Sequence, residues 1–182
     1  TKGYEVTFVP VDKKGLLDLD LLVKSMSDNT AIISLMWANN ETGVLFPIEK
    51  IAKIANEKGI VFHTDAVQAA GKIDIDVKKT GVDMLSMSGH KIHAPKGIGV
   101  LYVKKGIKFS PFLIGGHQEK GRRGGTENTV SIIGLGKACE LARENLTLMN
   151  TQVRELRNYL QTQLLDKIPG ASVNGDLDLR LP

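Results

Sequence analysis

Three short, almost uninterrupted apolar runs constrain this chain more than any other feature: Ala31-Ile32-Ile33-Ser34-Leu35-Met36-Trp37, Ile60-Val61-Phe62-His63 and Met84-Leu85-Ser86-Met87. Such a run is the signature of a strand covered on both faces, as in a parallel sheet. Between the runs the spacing turns helical. Pro47 precedes Ile48, Ile51, Ala52, Ile54 and Ala55 at helical intervals, and Gly59 stops the pattern. Leu16 to Met26 reads as a shorter amphipathic helix with Asp18 or Asp20 in its first turn. Tyr4 to Val9 alternates and predicts a strand ended by Pro10, and Ile98 to Val103 predicts another. Strands separated by helices imply right-handed crossovers. The expected fold class is therefore α/β, a mostly parallel sheet flanked by helices.

The last third has a different texture. Gly115 to Thr126 is a long glycine-rich loop, after which Asn128 to Leu148 and Thr151 to Lys167 are helical patterns with little strand propensity. The change near Asn145 to Thr151 places a domain boundary there, giving a large domain over 1–147 and the helical start of a smaller one over 148–182. No internal repeat is present. Neither end, Thr1-Lys2-Gly3-Tyr4 or Leu179-Arg180-Leu181-Pro182, reads as a natural terminus, so the chain is expected to be a piece of a longer protein.

Composition removes whole classes of function. A chain of 182 residues that is 42% hydrophobic can bury a substantial core, and 24% charged residues do not make a disordered one. The net charge of +4 is small and scattered, against the concentrated basic face of a nucleic-acid binder. One cysteine, Cys139, excludes an internal disulfide framework and a cysteine zinc finger. No apolar run approaches the ~20 residues that span a bilayer.

Ligands of open α/β sheets gather at the carboxyl ends of the strands. There, Trp37 is followed by Asn39-Asn40-Glu41-Thr42-Gly43, His63 by Thr64-Asp65-Ala66-Val67-Gln68, and Met87 by Ser88-Gly89-His90-Lys91. Consecutive strands thus deliver an amide, an acid with an amide, and a Ser-His-Lys trio to one edge. A lysine just beyond a buried strand is a candidate amine nucleophile, and an acid nearby can reach the far end of a flat ring bound to it. Lysine for a Schiff base with an acid on a pyridinium nitrogen is what a protein contributes to a pyridoxal phosphate site. Each residue also has a plainer reading. Asp65 could cap a turn, Lys91 could be a surface lysine, and His63 could be a satisfied sheet histidine. Asn39 and Asn40 could simply make a turn with Gly43, and His93 and His117 could be loop residues. Recurrence at one edge favours the functional reading.

Four blocks carry a resemblance: Trp37-Ala38-Asn39-Asn40-Glu41-Thr42-Gly43, His63-Thr64-Asp65-Ala66-Val67-Gln68, Ser88-Gly89-His90-Lys91-Ile92-His93-Ala94-Pro95-Lys96-Gly97, and the loop from Gly115 through Arg123 and Thr126 to Asn128. In order and spacing the chain resembles the NifS/IscS cysteine desulfurases, closest to the NifS branch, within the class V aminotransferase-like, fold type I group. The resemblance implies pyridoxal 5'-phosphate as cofactor and conversion of L-cysteine to L-alanine. Sulfur would leave as an enzyme persulfide for iron–sulfur cluster assembly. It implies that Lys91 forms the Schiff base and shuttles the α-proton, and that Asp65 pairs with the ring nitrogen. Gln68 and Asn40 would bond the ring's phenolic oxygen. Ser88 and His90, with Gly89 between them in the cofactor-binding set, would hold the phosphate, and Thr126 would reach the phosphate of the neighbouring subunit. The family's own phosphate-binding turn and ring-stacking histidine have no counterpart here. It further implies a cytoplasmic homodimer that hands sulfur to a scaffold protein. The persulfide cysteine and the substrate-carboxylate arginine of the family have no counterpart here, since Cys139 lies in the helical pattern Leu135 to Leu141 and should pack as a small apolar residue. Lys120 stands where the family has arginine.

Two rival readings stay open. His63, Asp65, His90 and His93 could ligate a metal in a hydrolase, which would leave Lys91 unexplained. A non-catalytic scaffold fragment would keep the fold and bind no cofactor.

Overall fold

The computed structural model describes residues 3–182; the start of the chain at Thr1 and Lys2 lies outside them. Strands β1 (Ile32–Met36), β2 (Val61–Asp65), β3 (Met84–Ser88) and β4 (Gly99–Val103) form one sheet in the order β1-β2-β3-β4. The pairs β1–β2 and β2–β3 are parallel and β3–β4 is antiparallel. The three apolar runs are thus the three parallel strands, and the mostly parallel α/β class is observed.

Helix α1 (Leu19–Lys24) starts at Asp18, whose carboxylate accepts the Leu21 N–H at 3.0 Å. Helix α2 (Ile48–Glu57) fills the first parallel crossover, and short α3 (Val77–Thr80) lies in the second. The Asp76 carboxylate caps α3 by accepting from Lys78 N and Lys79 N, and those N–H groups hold its pKa below the usual carboxylate value. Two parallel steps in one direction, with crossovers of one hand, put both connections on the same face of the sheet. That face holds the core: Ile33, Phe62 and Leu85 from the strands meet Ile48, Ile51, Ala52 and Ala55 of α2.

The opposite face stays open. Ile32 is 52% exposed, and Met36 and Leu101 are exposed with it, so covering on both faces holds for only one face in this chain. A second correction concerns Tyr4 to Val9. It forms no strand, and Tyr4, Val6 and Phe8 are exposed, because alternation supplies no ladder partner for the backbone.

Helix α5 (Thr129–Glu144), packed against the turn at Gly89–Ile92, is capped by Asn128, which accepts the Ser131 N–H at 3.2 Å. It buries Ser131, Leu135 and Ala138, one stripe at helical spacing. Cys139 is one residue round from that stripe and is exposed, which overturns its expected packing. The path runs on through short α4 (Gln118–Gly121) before α5, then α6 (Leu146–Leu148), a π-turn segment (Met149–Val153) and α7 (Arg154–Lys167). Residues 179–181 pair with the segment after β1: Leu45 N–H donates to Leu179 O, and Leu181 N–H to Gly43 O.

Candidate active site

The parallel register fixes what stands beside what. Met36 is level with Asp65, and Asp65 with Ser86, so the segments after β1, β2 and β3 leave the sheet at one edge. Backbone bonds stitch that edge: Trp37 N–H donates to Asp65 O at 2.8 Å, and Ala66 N–H to Ser86 O at 2.9 Å. The segments that hold Asn40, Asp65 with Gln68, and Ser88 to Lys91 therefore leave the sheet at one edge, as predicted.

The first segment separates two adjacent amides. Asn39 Oδ1 accepts from Glu41 N, Thr42 N and Thr42 Oγ1, which makes Asn39 the internal bracket of the turn. Asn40 makes no side-chain bond among the described residues and is exposed, free to meet a ligand. In the second segment Asp65 does both jobs raised by the sequence. Its Oδ1 accepts the Val67 N–H at 2.8 Å, fixing the carboxylate, and the residue remains exposed, with its other oxygen unbonded among the described residues. Gln68 follows, half-buried.

The third segment is a tight 3₁₀ turn, Gly89–Ile92. A Cβ on Gly89 would stand 2.8 Å from Ile98 Cγ2 and 3.0 Å from Ile98 O, so only glycine lets this turn sit against the start of β4. Ser88 Oγ and His90 Nδ1 are 2.8 Å apart, and Lys91 is exposed on the same turn with no ion pair among the described residues. His93 closes the turn with a left-handed φ of 67°, unusual for a residue with a Cβ.

Thr126 is exposed on the glycine-rich loop, and no hydrogen bond among the described residues joins it to the sheet edge. His63 takes the plain role. Its Nδ1 meets Ser34 Oγ and its Nε2 meets Ser86 Oγ, both at 2.8 Å, which ties β1, β2 and β3 together on the open face. Burial lowers its pKa, partly offset by the Asp65 charge. With both ring nitrogens engaged it has no lone pair for a metal. Among the described residues no group of three or more His, Cys, Asp or Glu side chains is arranged to hold one, so the hydrolase reading has no support.

Sequence reasoning passed over Ser34 and Ser86, although both are polar interruptions of apolar runs and flank His63. It also passed over Lys72. This half-buried lysine donates from Nζ to Gln68 O at 2.9 Å, and burial, with the Lys91 charge adding to it, lowers its pKa. The one hint was its place just after Gly71.

The donor set suits a flat, anionic aldehyde cofactor. An amine, an acid with a free oxygen, two amides and a Ser–His pair on a glycine turn converge on one edge, where they can meet a carbonyl carbon, a ring nitrogen, a phenolic oxygen and a phosphate.

Comparison with known proteins agrees. The family model described as aminotransferase class V matches residues 1–180. A cysteine desulfurase NifS of Azotobacter vinelandii is 56% identical over 182 residues, which is all of this chain and 45% of that protein. A cysteine desulfurase of Klebsiella pneumoniae is 50% identical over 181 residues, again 45% of its length. Among solved structures, a NifS-like protein superimposes with a TM-score of 0.94 at 39% identity, covering 100% of this chain and 50% of that one. A NifS-like protein from Rickettsia africae gives 0.90 at 36% identity, covering 96% and 49%. The chain spans about half the length of these relatives.

Proposed function

The chain belongs to the class V aminotransferase family, and from that premise we propose that the parent protein is a pyridoxal 5'-phosphate-dependent cysteine desulfurase. It would turn L-cysteine into L-alanine and pass the sulfur, as an enzyme persulfide, to a scaffold protein for iron–sulfur cluster assembly. One observation carries this reading: Lys91 stands on the turn after β3 while Asp65 stands at the end of the neighbouring β2, in a chain 56% identical to a NifS cysteine desulfurase.

When bound, the cofactor supplies an electron sink for the charge left on the substrate's α-carbon. Lys91 would hold it covalently through Nζ and later carry the α-proton. Asp65, steadied by the Val67 N–H, would accept a hydrogen bond from the protonated ring nitrogen and keep that proton in place. Gln68 and Asn40 would bond the phenolic oxygen. Ser88 and His90, on the turn at Gly89, would hold the phosphate with charge-assisted hydrogen bonds. Cys139 is not assigned the sulfur-accepting role. It sits on α5 beside an apolar groove lined by Ile73, Leu85 and Ala142 rather than at the carboxyl edge of the sheet.

The parent would be a cytoplasmic homodimer. Phe112 and Ile114 are 95% and 93% exposed beside the glycine-rich loop, an apolar surface that a second copy would cover while Thr126 reached its phosphate. Residues 148–182 would begin the small domain. The test is product analysis with the purified parent and a thiol reductant. Alanine and sulfide should form one for one, and Lys91→Ala should reduce both to background. Pyruvate with sulfide would mean a lyase instead.

A further inference from the structure

We propose that Lys72 and Asn150 are positioning residues of this site, a latch that holds the turn carrying Asp65 and Gln68 against the helices beyond α5. This rests on the reading of the site given above. Lys72 Nζ donates to the Gln68 carbonyl at 2.9 Å. Its own carbonyl accepts from Asn150 Nδ2 at 2.9 Å, across 78 residues of sequence, and the same nitrogen donates to Leu146 O at 2.9 Å. Asn150 Oδ1 in turn accepts from Arg154 at 3.0 Å. One chain of hydrogen bonds therefore runs from the first turn of α7, through Asn150, to the residue that presents Gln68.

Two features mark this chain as more than ordinary packing. Asn150 sits in the π-turn segment, where the helical ladder is widened and a side chain can enter it; such turns concentrate at functional sites. Lys72 is half-buried with no carboxylate in ion-pair reach among the described residues. An uncompensated, part-desolvated ammonium is an expensive way to satisfy one carbonyl. It is economical if its charge and its bond both serve the neighbouring site. Gly71 completes the junction. A Cβ there would stand 2.9 Å from Ile92 Cγ2, so the Gln68 turn and the Lys91 turn touch directly at the point Lys72 secures.

The latch is tested in the full-length holoenzyme with Lys72→Met, Lys72→Arg and Asn150→Asp. Asn150→Asp keeps the Arg154 partner but turns an oxygen toward two carbonyls. The readouts are the dissociation constant of pyridoxal phosphate and the pH midpoint of its absorption band, which reports the hydrogen bonds around the ring. Lys72→Met should weaken cofactor binding roughly tenfold, the worth of one charge-assisted hydrogen bond, and displace the midpoint. Lys72→Arg should restore most of both. Asn150→Asp should shift the midpoint in the same direction, and the double variant should be no worse than Lys72→Met, as for two parts of one device. If Lys72→Met does not fold, Asn150→Asp alone must move the midpoint. A normal band unmoved by any folded variant, or purely additive effects, overturns the latch alone. A wild-type protein that never forms the band overturns the site reading and the latch with it.

Discussion

Replacing Gly71 by alanine tests whether the two loops of the site are locked by direct contact. The new Cβ meets two obstacles of different kind. Gly71 has φ +74°, where an L-residue is strained by about 1 kcal/mol. Its Cβ would also approach Ile92 Cγ2 to 2.9 Å and Ala142 Cβ to 3.2 Å, and pressing a methyl into a filled junction costs about 1–3 kcal/mol. The sum is about 2–4 kcal/mol. Gly59 provides the control, because its φ is +68° but a Cβ there meets nothing within 4 Å. Gly59→Ala should show the backbone cost alone, about 1 kcal/mol. Urea unfolding followed by far-UV circular dichroism measures both, and the difference between them isolates the steric part. Ile92→Leu, which removes the offending Cγ2 at constant volume, should recover much of that difference in the Gly71→Ala background. If Gly71→Ala costs no more than Gly59→Ala, the turns do not touch and the junction is wrong.

Three other outcomes follow from the same geometry. Asp83 is buried and accepts the Phe62 N–H and the Lys104 ammonium, both at 3.1 Å; Asp83→Ala orphans a buried backbone donor and should cost about 2–3 kcal/mol in the same urea assay. Burial lowers the His63 pKa in the folded chain, so the unfolded chain takes its proton first and stability should fall as pH drops below about 6.5. Urea midpoints between pH 7.5 and 5.5 should therefore fall more steeply in the wild type than in His63→Gln. In the parent enzyme, Asp65→Asn should slow alanine formation roughly a hundredfold, the scale of losing one preorganised electrostatic partner, while cofactor affinity, read by equilibrium dialysis, falls much less.

The parallel strands and the edge they share were legible because continuous apolar runs and the polar residues that end them are local features. Tyr4 to Val9 was misread for the complementary reason: alternation is local, but a strand needs a partner, and no backbone among the described residues pairs with it. Spacing alone did not tell Asn39 from Asn40; the resemblance singled out Asn40, and only the closed turn shows that the Asn39 oxygen is consumed internally. Cys139 fell on the wrong side of α5 because one residue of helical phase, about 100°, separates it from the buried Ala138. The pairing of Lys72 with Asn150 was illegible, although Lys72 alone was hinted at by its place after Gly71. Their bond joins positions 78 residues apart, and no local pattern marks the two as partners.

Borohydride reduction of the parent protein with pyridoxal phosphate, followed by peptide mapping, tests the central claim most directly. The pyridoxyl group should be found on the peptide that holds Lys91, at Lys91 itself, and Lys91→Ala should abolish the label. Label on Lys72, Lys96 or another lysine, or none at all, would contradict the account.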